Sequence, residues 1–440
     1  MLLFVRFRCC LQNLSRLPIW LGMWLAACSG TNGPPGFGSA GDAALGGQDS
    51  SRADSGVPNE SDASVATDAS DATTVPDDER CSINPFELSS DSLPGIRHMS
   101  VDASGDAFFA LWNQSDGTFE DLYRASVAPG SIEFAQTKLT NDTASASNPF
   151  ASAGLVAWED DGGQRARYQI RVRLIEGSSE FDVTAVEFDA RHPSIAGVEG
   201  AWVIGYSIRI GPNWMLQTRT FDGSNLGPAQ DIASYELERI PRLFLGTSST
   251  PMAAYVQNGD VFVVRLSPET AAPTSTPLVV NAESNALDEV SMAFDDQAGI
   301  VAFSAEAGGR NVMRGILLEL DGTVRRAERT LSVFPVEARL PRAIAYQGGL
   351  AVAYRADNEG DEHIALDFVH GSTGEVVENY EVAAANFSNG AIGLGVASST
   401  GDILLTWGAR QSGAGSSATL LSAASLQCAS TWLRCSPQSL

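Results

Sequence analysis

The feature that most constrains this chain is a short apolar run ending in an aromatic residue, which recurs seven times along the sequence. The runs are Ala107–Trp112, Leu155–Trp158, Ala201–Tyr206, Met252–Tyr255, Ile300–Phe303, Leu350–Tyr354 and Ile403–Trp407. Their aromatic ends are spaced by 46, 48, 49, 48, 51 and 53 residues. A glycine turn follows within a few residues, as at Asp116-Gly117, Asp161-Gly162-Gly163, Asn258-Gly259 and Asp357–Gly360. Such turns supply the positive φ that tight hairpins need. A second strand comes next, for example Tyr168–Leu174, Trp214–Phe221 or Asn311–Leu320, and turns such as Asp222-Gly223 or Asp321-Gly322 close it. A shorter strand opens each unit, as at Pro193–Ala196 or Ala343–Ala345. No window carries a helical period.

Four short strands in a unit of about 40–50 residues mark a propeller blade. Solenoid repeats are usually shorter, and sandwich domains need about 100 residues per unit. The expected fold is therefore all-β, a seven-bladed β-propeller of four-stranded antiparallel blades over residues 81–436. The blades run roughly over 95–143, 144–189, 190–238, 239–286, 287–336, 337–386 and 387–428, with 81–90 completing the last. The aromatic anchors are expected to pack between blades rather than to bind a ligand.

Ring closure leads to the cysteines. The last unit offers strands near Ala391–Val396, Ile403–Trp407 and Ala418–Leu426, with no obvious fourth. The segment Asn84–Leu88 is placed to fill the gap, and an antiparallel fit would bring Cys81 beside Cys428. A Cys81–Cys428 clasp is expected; Cys81–Cys435 and Cys428–Cys435 are the other pairings.

The units also resemble known proteins. Val156-Ala157-Trp158, an acidic glycine turn through Gly163, and Ile170-Arg171-Val172-Arg173 match the blade pattern of myxobacterial-type repeat lipoproteins. The likeness covers most of 95–426, although blades three and seven lack the acidic turn. It implies a propeller and leaves the activity open, since members of that group are largely uncharacterised.

The N-terminus reads as an export signal over residues 1–27. Arg6, Arg8 and Arg16 precede an apolar stretch from Leu17 to Ala27, which is shorter than the roughly 20 residues a membrane helix needs. Leu25-Ala26-Ala27-Cys28-Ser29 looks like a lipobox, in which the Cys28 thiol accepts diacylglycerol. Several acyl chains anchor a protein where one is marginal. Ser29, rather than Asp, points by the enterobacterial sorting rule to the outer membrane of a bacterial cell envelope. Residues 28–80 follow as an acidic linker rich in Gly, Ser, Ala and Asp, with ten acidic residues against Arg52 and Arg80. Such a composition cannot offset chain entropy by burial, so a disordered tether is expected.

Beyond the signal the chain keeps 25 basic against 53 acidic side chains. That balance argues against nucleic acid as a partner and leaves the lipid as the link to the membrane. The four histidines lack metal-ligand spacing, and no nucleophile or phosphate-loop motif is present. No metal, cofactor or catalytic residue is assigned, and a monomer is expected. The acidic turn Asp357–Glu362 departs from the EF-hand spacing.

One distribution stands out. Residues that begin the first strand of a blade rim one channel mouth, and here they include Arg97, His98, Arg191, His192, Arg242 and Arg342. Arg97 and Arg191 each lie fifteen residues before their aromatic anchor. Either these form a cationic rim for a carboxylate or acidic sugar, or they make ion pairs between blades. The expected function is a non-enzymatic propeller that binds a protein or glycan partner; the alternative is a hydrolase or lyase acting on extracellular polysaccharide.

Overall fold

The computed structural model describes residues 81–428, apart from 89–92, 95, 105–106, 116, 142, 164–165, 199, 237–239, 283, 333–336, 359–360, 385–391, 397–399 and 411–417. Cys28, the signal, the linker and Cys435 lie outside the described residues. Seven antiparallel sheets, one per blade, form a closed propeller, and no helix occurs among the described residues. The inner strands are Arg97–Ser104, Ala146–Ser152, Asp189–Val198, Leu243–Thr247, Asn285–Phe294, Glu337–Tyr346 and Gly393–Val396.

A gradient of burial across each blade explains the sequence pattern. The second strand is covered on both faces by neighbouring blades, so Leu155–Asp160 is buried at every position. That is why the recognisable signal was an apolar run rather than an alternation. The third strand alternates, as in Gln169–Leu174, and the outer strand is mostly exposed, as in Phe134–Lys138. The aromatic anchors Trp112, Trp158, Tyr206, Tyr255, Phe303, Tyr354 and Trp407 are all buried. The core lies between blades: Ala157 and Val172 pack with Ile204 and Tyr206 of the next one. At the Asn258-Gly259 hairpin both residues have positive φ, 56° and 86°, as a two-residue turn matched to strand twist requires.

The seventh blade takes its fourth strand from the other end of the chain. Ser82–Glu87 pairs antiparallel with Ala418–Gln427, from Ser82 opposite Gln427 to Glu87 opposite Ser422. Cys81 and Cys428 form a disulfide just beyond this ladder. Blade seven then packs on blade one, where Leu404, Leu421 and Ala423 share a core with Met99, Phe108 and Trp112. The approach is close at Gly395, where a Cβ would sit 2.6 Å from Val101 Cγ1.

Candidate functional site

Every inner strand begins at one mouth of the central channel, termed the front, and ends at the back. Near the front, five of them slip register against the second strand. The slips lie between Arg97 and Met99, Ser147 and Phe150, Arg191 and Ser194, Ala286 and Val290, and Arg339 and Arg342. Four of these bulges hold a left-handed residue: His98 at φ 44°, Asn148 at 54°, His192 at 53° and Leu340 at 58°. That conformation is uncommon for a side-chain-bearing residue, and least so for Asn and His. A bulge re-aims the side chain it carries. The four residues, from four different blades, line one cavity of about 60 Å³ at the front mouth.

The cavity floor follows from the register. Opposite the residue before each anchor, blades one, three and five carry Ser100, Ser194 and Ser291. At the same position blades two, four and six carry Phe150, Phe244 and Arg342. The small residues leave the axis clear and the large ones fill it. Phe150 meets Phe244 edge to face with centroids 5.4 Å apart, and the Arg342 guanidinium lies 5.7 Å from the Phe244 centroid. These three side chains line both the front cavity and a chamber of about 310 Å³ behind it. They form a partition across the channel.

Above this partition the charge is positive. Arg242 and Arg342 line the front cavity, and Arg97 is exposed beside it. Neither Arg97 nor Arg242 forms an ion pair among the described residues. Burial and then the charges of Arg242, Arg97 and Arg342 push His98 down to about 4, against a smaller opposing pull from Asn113. Burial likewise holds His192 well below its ordinary range, with Arg242, His98 and Arg191 acting in the same direction. Arg342 is pushed down to about 10 by burial and by Arg242, while Glu289 opposes the shift. At neutral pH both imidazoles are therefore neutral and the Arg342 guanidinium is charged.

The His192 tautomer is set by its neighbours. Asn148 Nδ2 donates to Glu159 Oε1 at 2.6 Å and lies 2.9 Å from His192 Nδ1. A carboxylate only accepts, so the amide nitrogen must face it, and Nδ1 then accepts the second hydrogen bond. The remaining proton sits on Nε2. Glu159 also accepts the His192 backbone N–H at 2.8 Å, which supports the left-handed bulge from the preceding blade.

The sequence-selected rim thus divides. His98, His192, Arg242 and Arg342 converge on one cavity. Arg191 instead pairs with Asp189 at 2.9 Å and with Glu159 at 3.4 Å, and its guanidinium lies 3.6 Å from the Tyr168 ring centroid. Arg191 therefore ties two blades together. Sequence reasoning missed Asn148, Phe150, Phe244 and Glu289. One local signal was present: proline recurs at Pro149, Pro193, Pro241 and Pro341, where inner strands begin and a missing N–H costs little at a bulge or free edge. Among the described residues no group of three or more His, Cys, Asp or Glu is placed to hold a metal ion.

No family model and no curated protein matches the chain. Solved structures do. One of two prolyl endopeptidases aligns at 13% identity and TM-score 0.42, over 72% of this chain and 46% of its own. A Trypanosoma rangeli sialidase aligns at 10% identity and TM-score 0.42, over 64% of this chain and 57% of its own. The propeller domain of the Trilobed protease from Pyrococcus furiosus aligns at 11% identity and TM-score 0.42, over 71% and 90%. This chain spans about half the length of the first two. At such identities no chemistry transfers.

Proposed function

We propose that this chain is a lipid-anchored envelope protein whose propeller binds an acidic group of a protein or glycan partner at the front mouth. The observation that carries the binding reading is Arg242, which lines the cavity without an ion-pair partner among the described residues, near Arg342 and Arg97. In a chain of net charge −25, such a concentration of unpaired cations is a local exception to the field of the whole surface. Glu289 supplies one counter-charge against several arginines, an incoming carboxylate adds another, and Arg can grip it bidentately. His192 Nε2–H is a further donor. A cavity of about 60 Å³ holds a few waters, so it accommodates the carboxylate end of a ligand rather than a whole sugar ring. The anchor reading rests on Leu25–Cys28 and on the linker composition.

The test is a glycan and peptide array probed with the wild type and with Arg242→Ala. Binding confined to acid-bearing ligands and lost in the variant supports the reading; equal binding by both overturns it. Cys28→Ala should move the protein from the membrane fraction to the soluble one.

A second reading, a polysaccharide hydrolase or lyase, is favoured by Glu289, a carboxylate that lines the front cavity. Its Oε2 already accepts the Leu340 N–H at 2.6 Å. Release of fragments from a bound glycan, lost in Glu289→Gln, would establish the enzyme.

A further inference from the structure

The front cavity does more than concentrate positive charge. Glu289 enters it from the inner strand of blade five, beside the slip between Ala286 and Val290. Its Oε2 accepts the Leu340 N–H of blade six at 2.6 Å, which fixes the carboxylate in place. Among the described residues Glu289 forms no ion pair, and no group donates to its Oε1. A carboxylate oxygen only accepts, so Oε1 has room for a donor and for nothing else.

Asn148 adds a second acceptor to the lining. Its amide nitrogen is committed to Glu159 Oε1 at 2.6 Å and His192 Nδ1 at 2.9 Å, and no described group donates to its Oδ1. The donors are Arg242, without an ion-pair partner among the described residues, and His192 Nε2–H. Ser100 and Ser194 already accept the Ala151 and Leu245 N–H groups at 3.0 and 2.9 Å. Their hydroxyls can still turn either way, so they do not decide the selection.

A charged donor and a charged acceptor therefore share one cavity of about 60 Å³. A bare carboxylate would satisfy Arg242 and His192, yet it would strip water from Glu289 and return no hydrogen bond. A ligand that carries a donor beside its carboxylate avoids that loss. Because the cavity admits only the acid end, the donor has to sit on the carbon next to the carboxyl group. A neutral hydroxyl suits this place better than an ammonium, since Arg242 and Arg342 line the same cavity and Arg97 is exposed beside it. We propose that the front mouth selects 2-hydroxy carboxylates, with the acid against Arg242 and His192 and the hydroxyl donating to Glu289 Oε1. This selection rests on the acidic-group reading of the same site.

The test titrates the full chain at neutral pH with lactate, propionate and alanine, followed by ligand-observed NMR. Lactate should bind about ten-fold more tightly than propionate, the worth of a hydrogen bond to a charged group, and more tightly than alanine. Glu289→Gln keeps an oxygen for the Leu340 N–H but exchanges a charge-assisted bond for a neutral one, so lactate's advantage should shrink to about three-fold or less. Arg242→Ala should weaken lactate and propionate alike. The two ways of failing are distinct. If propionate matches lactate, or alanine equals or exceeds it, the hydroxyl selection is overturned while the acidic-group reading stands. If none of the three binds saturably, both fall. A folded Glu289→Gln protein that keeps the full preference also overturns the selection. A crystal structure with lactate decides the matter without any variant: its hydroxyl on Glu289 supports the proposal, and a hydroxyl turned away from Glu289 overturns it.

Discussion

Cys81 and Cys428 are bonded across 347 residues, directly beyond a ladder that places Ser82 opposite Gln427. The ring is closed by a covalent bond and by main-chain pairing at the same point. Reduction would leave the ladder while freeing the unfolded chain of a very long loop constraint. In the chain-entropy account that constraint stabilises by about 5 kcal/mol. Reductant, or Cys81→Ser with Cys428→Ser, should lower Tm by roughly 10 °C. A thermal scan with titrated thiols that shows no change would remove the clasp as a source of stability.

The ring was legible because the second strand of each blade is buried on both faces, which concentrates the signal in one recurrent run. The missing fourth strand of blade seven made the closure legible too. The front cavity was only half legible. His98 lies fourteen residues before Trp112, whereas Asn148 lies ten before Trp158, because the blade-two hairpin is shorter. The bulges hide part of the rest: an inserted residue flips the two-residue period, so a strict alternation misplaces Phe150 and Arg342. The inter-blade partner of Arg191 was illegible for another reason. Glu159 comes from the neighbouring blade, and nothing local marks that meeting.

The two arginines first read as one rim should separate by experiment. Arg242→Ala removes a side chain that forms no ion pair among the described residues, so Tm should change little while binding of acidic ligands falls. Arg191→Ala strips Glu159, a buried carboxylate, of a charged partner. The Arg191 side chain is 21% exposed, so solvent screens part of the loss, and the cost should be about 1–3 kcal/mol. Denaturant midpoints and array binding for both variants check this, and a reversed pattern would reassign the roles.

Ligand binding at the front mouth should take up protons. Burial and the surrounding arginines hold His98 near 4, and a bound carboxylate would offset those charges. The His98 pKa is then higher in the complex than in the free protein. By linkage, affinity should rise as pH falls toward about 4, the value of the free protein, for a ligand acidic enough to remain ionised. Calorimetry in two buffers of different ionisation heat should detect the uptake, and His98→Gln should reduce it. A flat affinity across that range would place the ligand away from His98.

Asp367 predicts the opposite of ordinary acid denaturation. Its carboxyl is fully buried in blade six, with the Asn379 amide donating to it and Tyr354 beside it. Burial pushes it up to about 7, against the smaller downward pulls of Asn379 and Tyr354. The unfolded carboxyl titrates near about 3.9, so protons bind the folded state more tightly. Its contribution to stability should therefore grow as pH falls from about 7 toward about 4, and vanish above about 7. The span amounts to roughly 1–4 kcal/mol. His98 and His192, both depressed by burial, act in the other sense below about 6.5, so the wild-type curve alone mixes the two effects. The difference between wild type and Asp367→Asn isolates the carboxyl. The variant should be the more stable protein above about pH 7, and its advantage should shrink as the pH is lowered. Parallel denaturant curves for the two proteins across that range would mean that Asp367 stays ionised in the fold.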